Sequence, residues 1–167
     1  MEESGMNESD RGMGYAGPSD NVGSGGDWLT PPFLLAQIRR IWGDLFDPCP
    51  YPRPDWDGLA APWRGTAFVN PPYGRDVDKW LEKALGEISS ENCKRAIFLL
   101  HARTDTRWFH EYVLGGASNL YFVRGRIRFR RPDGSGANSP VPSIIIVFDP
   151  EQRGGLTVGD WVLGKEE

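Results

Sequence analysis

The chain has 167 residues, a formal net charge of −4, two cysteines and two histidines. This length suits one domain with a real core, and two cysteines exclude a disulfide framework. Because neither an apolar leader nor an apolar run of about 18 residues is found, we expect a cytoplasmic setting and no membrane segment. Zinc-ligand spacing is absent among Cys49, Cys93, His101 and His110, so we expect no metal.

The negative charge is concentrated at the N-terminus. Residues 1–25 contain five acidic residues and one arginine, are rich in Gly and Ser, and are poor in apolar residues. This composition predicts a disordered tail. The rest of the chain is formally neutral, but residues 94–131 contain nine lysines and arginines against two acidic residues. A surface polarised in this way favours contact with nucleic acid.

The folded part is predicted to begin at Trp28 with a helix. Thr30 is a candidate N-cap, Pro31 suits the first helical position, and apolar residues at helical spacing continue to Trp42 before Gly43. Residues 44–47 then predict a short strand that ends at Asp47. In open α/β sheets ligands bind beyond the carboxyl ends of the strands, so Asp47 is a candidate ligand-binding residue.

Residues 66–69 predict a buried strand, and residues 75–88 have helical apolar spacing, so residues 70–74 form a strand-to-helix turn. Two prolines fix φ there and bias Asn70 toward an extended conformation. An amide oxygen, a proline carbonyl and the Tyr73 ring at one strand end can together hold a planar group that carries an amine. The alternative is an ordinary turn at a helix start.

Residues 96–100 form a continuous apolar run, which predicts a strand buried on both faces. Thr104 or Thr106 is expected to cap the following helix, which ends at Gly115. His101, Arg103 and Asp105 follow this strand, close to the proposed site. Their alternative role is loop solvation and helix capping.

Residues 121–131 alternate and predict one strand. Tyr121, Val123, Ile127 and Phe129 form its packed face, and Arg124, Arg126, Arg128 and Arg130 form a cationic stripe. The stripe favours phosphate contact, with simple solvation as the alternative. Residues 131–140 predict a flexible loop that reaches into a nucleic-acid groove or is disordered. The loop joins a last apolar strand over 143–148, and this hairpin is expected at the sheet edge. Beyond residue 150 only Trp161 and Val162 are candidates for docking.

The motif Asn-Pro-Pro-Tyr after a strand resembles the catalytic motif of S-adenosylmethionine-dependent amino-methyltransferases that act on adenine N6. Together with residues 27–31, 46–49, 57–59, 103–110 and 122–126, it resembles the phage-type DNA N6-adenine methyltransferase (Dam) family over about residues 27–148. The resemblance implies an α/β fold, a compact Rossmann-like class I methyltransferase sheet with an antiparallel C-terminal hairpin. The implied domains are a tail over 1–25, a methyltransferase domain over 26–150 and a C-terminal tail over 151–167.

The resemblance also implies site roles. The catalytic residues are Asn70, Pro71, Pro72 and Tyr73. The residues expected to bind S-adenosyl-L-methionine are Trp28, Thr30, Asp47, Cys49, Asp57 and Asn70. The residues expected to contact DNA are Arg103, Arg124, Arg126, Arg128 and Arg130. The alternative for Trp28 is a buried side chain, and the alternative for Thr30 is a helix cap. The alternative for Asp57 is an Asx turn. Pro48, Cys49 and Pro50 stand where many methyltransferases have a glycine-rich loop.

The expected reaction is methylation of a flipped adenine in double-stranded DNA by a phage-encoded protein in a bacterial host. The same motif also suits methylation of RNA or of a protein glutamine, and a non-catalytic DNA-binding relic is a further alternative. The sequence leaves monomer and dimer open.

Overall fold

The structure is a computed structural model that describes residues 28–72, 74, 76–152 and 154–164. The tail predicted for residues 1–25 lies outside the described residues, as do Asp27, Tyr73 and Arg75. The helices are α1 (Pro32–Trp42), α2 (Val77–Ser89), a π-helical turn (Phe109–Val113) and α3 (Leu114–Gly116). The strands are β1 (Leu45–Phe46), β2 (Gly65–Val69), β3 (Cys93–His101), β4 (Asn119–Arg124), β5 (Arg128–Arg130), β6 (Gly136–Asn138), β7 (Ser143–Phe148) and β8 (Thr157–Val162).

Six strands form one mixed sheet in the order β1-β2-β3-β7-β4-β8. Strands β1, β2 and β3 are parallel, β7 is antiparallel to both β3 and β4, and β8 is parallel to β4. Strands β5 and β6 form a separate antiparallel hairpin. The predicted α/β fold with an antiparallel element is therefore confirmed.

The central strand β3 is buried on both faces, as its apolar run predicts. Ala96, Phe98 and Leu100 pack on the side that carries α2, and Ile97 and Leu99 pack on the side that carries α1. Helices thus cover both sides of a sheet that is largely parallel, which is the Rossmann-like arrangement. Because β1 and β2 are parallel neighbours, Asp47 and Asn70, which follow them, lie at the same edge of the sheet.

Helix α1 turns Leu34 and Ile38 into the core, but it begins one residue later than predicted. Its N-cap is Pro31 and no side chain caps it, so the prediction that Thr30 caps this helix is wrong. The hydroxyl of Thr30 has another partner, Asn70. Of the caps considered at Thr104 or Thr106, the position of Thr106 is correct, because the helical segment begins at Arg107 and the Thr106 carbonyl accepts from the backbone N–H groups of Phe109 and His110. The side-chain cap is wrong, since Thr106 Oγ1 donates to the Arg103 carbonyl instead.

The single strand predicted over residues 121–131 is in fact two strands in different sheets. Strand β4 ends at Arg124, and Gly125 has a φ of +85°, a left-handed conformation that turns the chain away before β5 begins. The two faces are nevertheless correct. Val123, Ile127 and Phe129 are buried, and the four arginines between Arg124 and Arg130 are exposed.

The C-terminal residues contribute the edge strand β8, beyond the boundary predicted at residue 150. The ring of Trp161 is buried and stacks on Trp42 of α1 at 5.9 Å, whereas Val162 is 59% exposed. Strand β7 therefore lies inside the sheet rather than at its edge. Within the described ranges, none of the helices combines the length and the apolar character that crossing a membrane requires.

Candidate active site

Asn70 directly follows β2, whose last residue Val69 pairs with Phe98 of β3. Its side-chain nitrogen Nδ2 donates a hydrogen bond to Thr30 Oγ1 at 3.0 Å. The side-chain oxygen Oδ1 is buried and accepts no hydrogen bond within the part of the chain that the structure describes. A buried acceptor without a donor is costly, so this oxygen is a position where a hydrogen-bond donor would be favourable.

The two prolines after Asn70 differ in their surroundings. Pro71 is buried and Pro72 is exposed, so the turn is anchored on one side and open on the other. Tyr73, to which the sequence assigns stacking on a base, lies outside the described residues. Because Asn70 Oδ1 is shielded from solvent, an incoming amine reaches it only when the atoms that cover it move aside.

The segment that carries Thr30 is held by the arginine-bearing hairpin. Leu29 N donates to the Arg130 carbonyl at 2.7 Å, and Arg130 N donates to the Leu29 carbonyl at 3.1 Å. The Arg131 guanidinium lies over the Trp28 ring at 4.5 Å from its centroid. The structure therefore joins residues 28–30, the hairpin and Asn70 into one contiguous group.

The acidic candidates Asp47 and Asp57 lie in the connection between β1 and β2, which folds back on itself so that residues 48 and 58 touch. A Cβ atom at Gly58 would lie 2.0 Å from the carbonyl oxygen of Pro48 and 3.0 Å from the Trp80 ring. Only glycine fits at position 58. Asp47 Oδ1 accepts from the Cys49 backbone N–H at 2.8 Å, and Asp57 Oδ1 accepts from the Leu59 backbone N–H at 2.9 Å. The turn expected as the alternative at Asp57 is thus present, and each turn uses only the Oδ1 oxygen of its carboxylate.

Two groups in these loops have raised pKa values. Desolvation by the surrounding protein raises the pKa of Asp47, although the Cys49 backbone N–H and the charge of Arg39 act in the opposite direction. Burial raises the pKa of the Cys49 thiol, and the nearby carboxylates of Asp47 and Asp57 raise it further. Cys49 is therefore a neutral thiol that lies beside both acidic candidates.

His101 ends β3, the strand beside the one that leads to Asn70. Burial lowers its pKa to about 4, and the positive charge of Arg103 contributes to the same shift. Arg103 is itself exposed and lies near Asp105, with Nε 3.5 Å from Oδ1. His101 is therefore a neutral imidazole at neutral pH.

The arginines predicted to contact nucleic acid differ in their pairing. Arg124 on β4 donates to Asp160 Oδ2 of the edge strand β8 at 2.5 Å. Arg126 and Arg128 are exposed, and neither forms an ion pair with any residue that the structure describes. The uncompensated charge thus lies where the chain enters the β5–β6 hairpin.

Sequence reasoning missed the bond between Thr30 and Asn70, although a signal was present. Each residue precedes a pair of prolines, Pro31-Pro32 in one case and Pro71-Pro72 in the other. A residue before proline is biased toward extended backbone, so both side chains are presented from stiff segments. It also missed Asp160 as the partner of Arg124.

No group of three or more His, Cys, Asp or Glu side chains in the described part of the chain is placed to hold a metal ion. Comparison with known proteins decides the family. A family model described as DNA N-6-adenine-methyltransferase (Dam) matches residues 50–160, well over half of the chain. The chain belongs to the Dam family. The predicted family is thereby confirmed, and Asn70 and Asp57 lie inside the match to the Dam family, whereas Trp28, Thr30 and Asp47 precede it.

A search of curated proteins finds no match. Among solved structures, the Dam-family chain is similar to a crystal structure from Pyrococcus horikoshii that is described as an RNA methyltransferase. The two are 18% identical with a TM-score of 0.39, and the match covers 56% of this chain and 46% of the other. The chain thus spans less than half the length of that protein.

Proposed function

We propose that this Dam-family protein transfers a methyl group from S-adenosyl-L-methionine to N6 of adenine in DNA. The observation that carries the proposal is the buried side-chain oxygen of Asn70 at the end of β2, which has no donor among the described residues. An exocyclic amine supplies the missing donor. Membership of the Dam family supports methyl transfer as the reaction. The turn with two prolines, which have no backbone N–H, supports an amine as the group that receives the methyl group.

Adenine N6 is a poor nucleophile because its lone pair is delocalised into the ring. Asn70 Oδ1 accepts a hydrogen bond from one amine N–H, and the Pro71 carbonyl accepts a hydrogen bond from the other. These two bonds favour the localised, pyramidal amine of the transition state. S-adenosyl-L-methionine, when bound, supplies the methyl group on a sulfonium that leaves as a neutral thioether. The amine lone pair forms the new carbon–nitrogen bond, and one amine proton is then lost to solvent.

The cofactor is assigned to the connection between β1 and β2, near Gly58. Asp47 would accept from the cofactor's ammonium group and Asp57 from its adenine amine, each through the oxygen that its own turn does not use. Cys49 lies between them as a neutral, half-buried side chain. Of the other residues that the sequence assigns to the cofactor, Trp28 keeps that assignment, whereas Asn70 and its partner Thr30 are assigned here to the adenine amine.

The DNA is proposed to bind along the exposed arginines. Arg126 and Arg128 are the strongest candidates for phosphate contact, since their charges are uncompensated within the described residues. Adenine N6 of a paired base is not accessible to Asn70, so the target nucleotide must leave the stack. Tyr73 is the residue assigned to stack on the flipped base, a contact typically worth about 1–3 kcal/mol.

The test is methyl transfer by the purified protein with labelled S-adenosyl-L-methionine and three competing acceptors: double-stranded DNA, RNA and a glutamine-containing peptide. We expect N6-methyladenine in the DNA, identified by mass spectrometry of its nucleosides. Label found only in RNA or peptide would contradict the proposed acceptor. Absence of cofactor binding in calorimetry, together with retained DNA binding, would instead identify a non-catalytic DNA-binding protein.

A further inference from the structure

We infer that Thr30 is a positioning residue that orients the side-chain amide of Asn70, an inference that rests on the proposed function. A primary amide has an oxygen end that accepts and a nitrogen end that donates. Only the oxygen end can accept a hydrogen bond from an adenine amine. If the nitrogen end faced the amine instead, two donors would meet and the transition state would lose its acceptor.

The hydrogen bond between the two side chains holds the Asn70 amide in the orientation that suits the reaction. Asn70 Nδ2 donates to Thr30 Oγ1 at 3.0 Å, and Oδ1 occupies a buried position where it accepts no hydrogen bond from the described residues. The Thr30 hydroxyl can also donate, so turning the amide over would keep one bond to Thr30, but it would place two N–H donors where the oxygen now lies, facing the adenine amine. The orientation in the structure therefore leaves the oxygen end available for a ligand.

The backbone around Thr30 is fixed on both sides, so the hydroxyl is preorganised. Leu29 exchanges two backbone hydrogen bonds with Arg130 of β5, and Trp28 packs under the Arg131 guanidinium. On the other side Pro31 has φ −58° and ψ 138°, an extended conformation that starts α1 without using the Thr30 side chain. A catalytic acceptor that must be aimed within a narrow range benefits from such a rigid support.

This role differs from the two that the sequence suggests for Thr30. A helix cap would bond to backbone N–H groups of α1, and no side chain does so. A cofactor contact would make Thr30 important for the affinity of S-adenosyl-L-methionine. A positioning role instead makes it important for the rate of methyl transfer once cofactor and DNA are both bound.

The experiment compares Thr30→Val, which keeps the shape and removes the hydroxyl, with Thr30→Ser, which keeps the hydroxyl. Thr157→Val at the exposed start of β8 is the matched control. The single-turnover methylation rate is measured with saturating cofactor and DNA, and cofactor affinity is measured by calorimetry. We expect a loss of about 3- to 10-fold in rate for Thr30→Val, and changes below about 2-fold for Thr30→Ser and Thr157→Val. Cofactor affinity stays within about 2-fold throughout.

A second readout does not depend on activity. The side-chain amide signal of Asn70 in a nitrogen–proton correlation spectrum, assigned by its disappearance in Asn70→Ala, should lose protection against hydrogen exchange in Thr30→Val but not in Thr30→Ser. An unchanged rate in Thr30→Val, or a loss confined to cofactor affinity, would overturn the inference. If Thr30→Val fails to fold, Thr30→Ala takes its place, and an amide signal that stays protected there also overturns it. If the wild-type protein transfers no methyl group, the proposed function is wrong. Hydrogen exchange of the Asn70 side-chain amide still shows whether Thr30 holds that amide in place.

Discussion

Gly58 lies so close to the Pro48 carbonyl that a Cβ atom on it would be 2.0 Å from that oxygen. The Trp80 ring closes the other side at 3.0 Å, and the Trp63 indole donates to the Gly58 carbonyl at 2.8 Å. The first and the middle part of the connection between β1 and β2 therefore pack tightly against each other. Asp47 and Asp57 acquire a fixed spacing because Gly58, at the point of contact, has no side chain.

Replacing Gly58 with alanine should destabilise the protein and weaken cofactor binding together. The methyl group cannot fit without moving the Pro48 backbone, so we expect a loss of about 1–3 kcal/mol in the free energy of unfolding. Movement of that backbone also shifts Asp47 relative to Asp57. Urea unfolding and calorimetry with S-adenosyl-L-methionine measure the two effects.

Gly86→Ala is the control for this substitution. Gly86 lies inside α2, and nothing comes within 4 Å of a Cβ atom there. An alanine at an open helix position should stabilise by roughly 0.5–1 kcal/mol and leave cofactor affinity unchanged. If Gly58→Ala, like Gly86→Ala, lowers neither the free energy of unfolding nor the cofactor affinity, the contact between Gly58 and Pro48 does not set the spacing of the two carboxylates.

The second prediction concerns the arginines. Replacing Arg126 and Arg128 with alanine together should weaken DNA binding and reduce the magnitude of its salt slope by about 0.9 for each phosphate that the variant no longer neutralises. Binding titrations at several salt concentrations measure this slope, with cofactor affinity expected to stay constant. The matched control is Arg124→Ala, which removes an arginine already paired with Asp160 and should have the smaller effect.

Two results would contradict this assignment of the basic surface. One is a salt slope that is the same in the double variant and in the wild type. The other is a loss of cofactor affinity instead of DNA affinity, which would place these arginines beside the cofactor.

The third prediction is a pH dependence of stability that comes from His101. Its pKa is lowered to about 4, chiefly by burial, so the unfolded chain takes up a proton at a higher pH than the folded one. Stability is therefore present above the unfolded pKa and falls as pH decreases toward 4. Between pH 7 and pH 5 the loss from this group should be roughly 2 kcal/mol.

Urea unfolding of the wild type and of His101→Gln at both pH values isolates this contribution. Other titrating groups act equally in the two proteins, so the difference between them reports on His101. We expect the variant to lose less stability than the wild type on acidification. Equal losses in both would show that the imidazole is not buried as the structure places it.

Hydrophobic periodicity was enough to predict the parts of the fold that depend on local pattern. The apolar run before His101 predicted a strand buried on both faces, and the short strand before Asn70 predicted that this residue would lie at a strand end. Alternation also predicted which arginines face solvent. Patterns of this kind follow directly from the periods of helices and strands.

Relationships between distant residues were not predictable in the same way. The strand break at Gly125 depends on a left-handed backbone that a single glycine only permits, and β8 belongs to the sheet because Trp161 packs on Trp42. Thr30 looked like a helix cap because Pro31 follows it. Its hydroxyl instead bonds to a residue 40 positions away, which no local pattern encodes.

Within the candidate site, position and role were predictable to different degrees. Asn70 lies at the strand end as expected, and Asp47 and Asp57 lie in touching parts of the connection between β1 and β2. Their roles toward cofactor and DNA stay predictions, and Tyr73 lies outside the described residues.

The most direct test is the single-turnover rate of adenine methylation by Asn70→Ala, measured with saturating S-adenosyl-L-methionine and DNA. Loss of the acceptor that stabilises the pyramidal amine should lower this rate by about 10²–10³-fold while the variant folds and binds cofactor like the wild type. A rate equal to that of the wild type would contradict the assignment of Asn70 as the group that activates adenine N6.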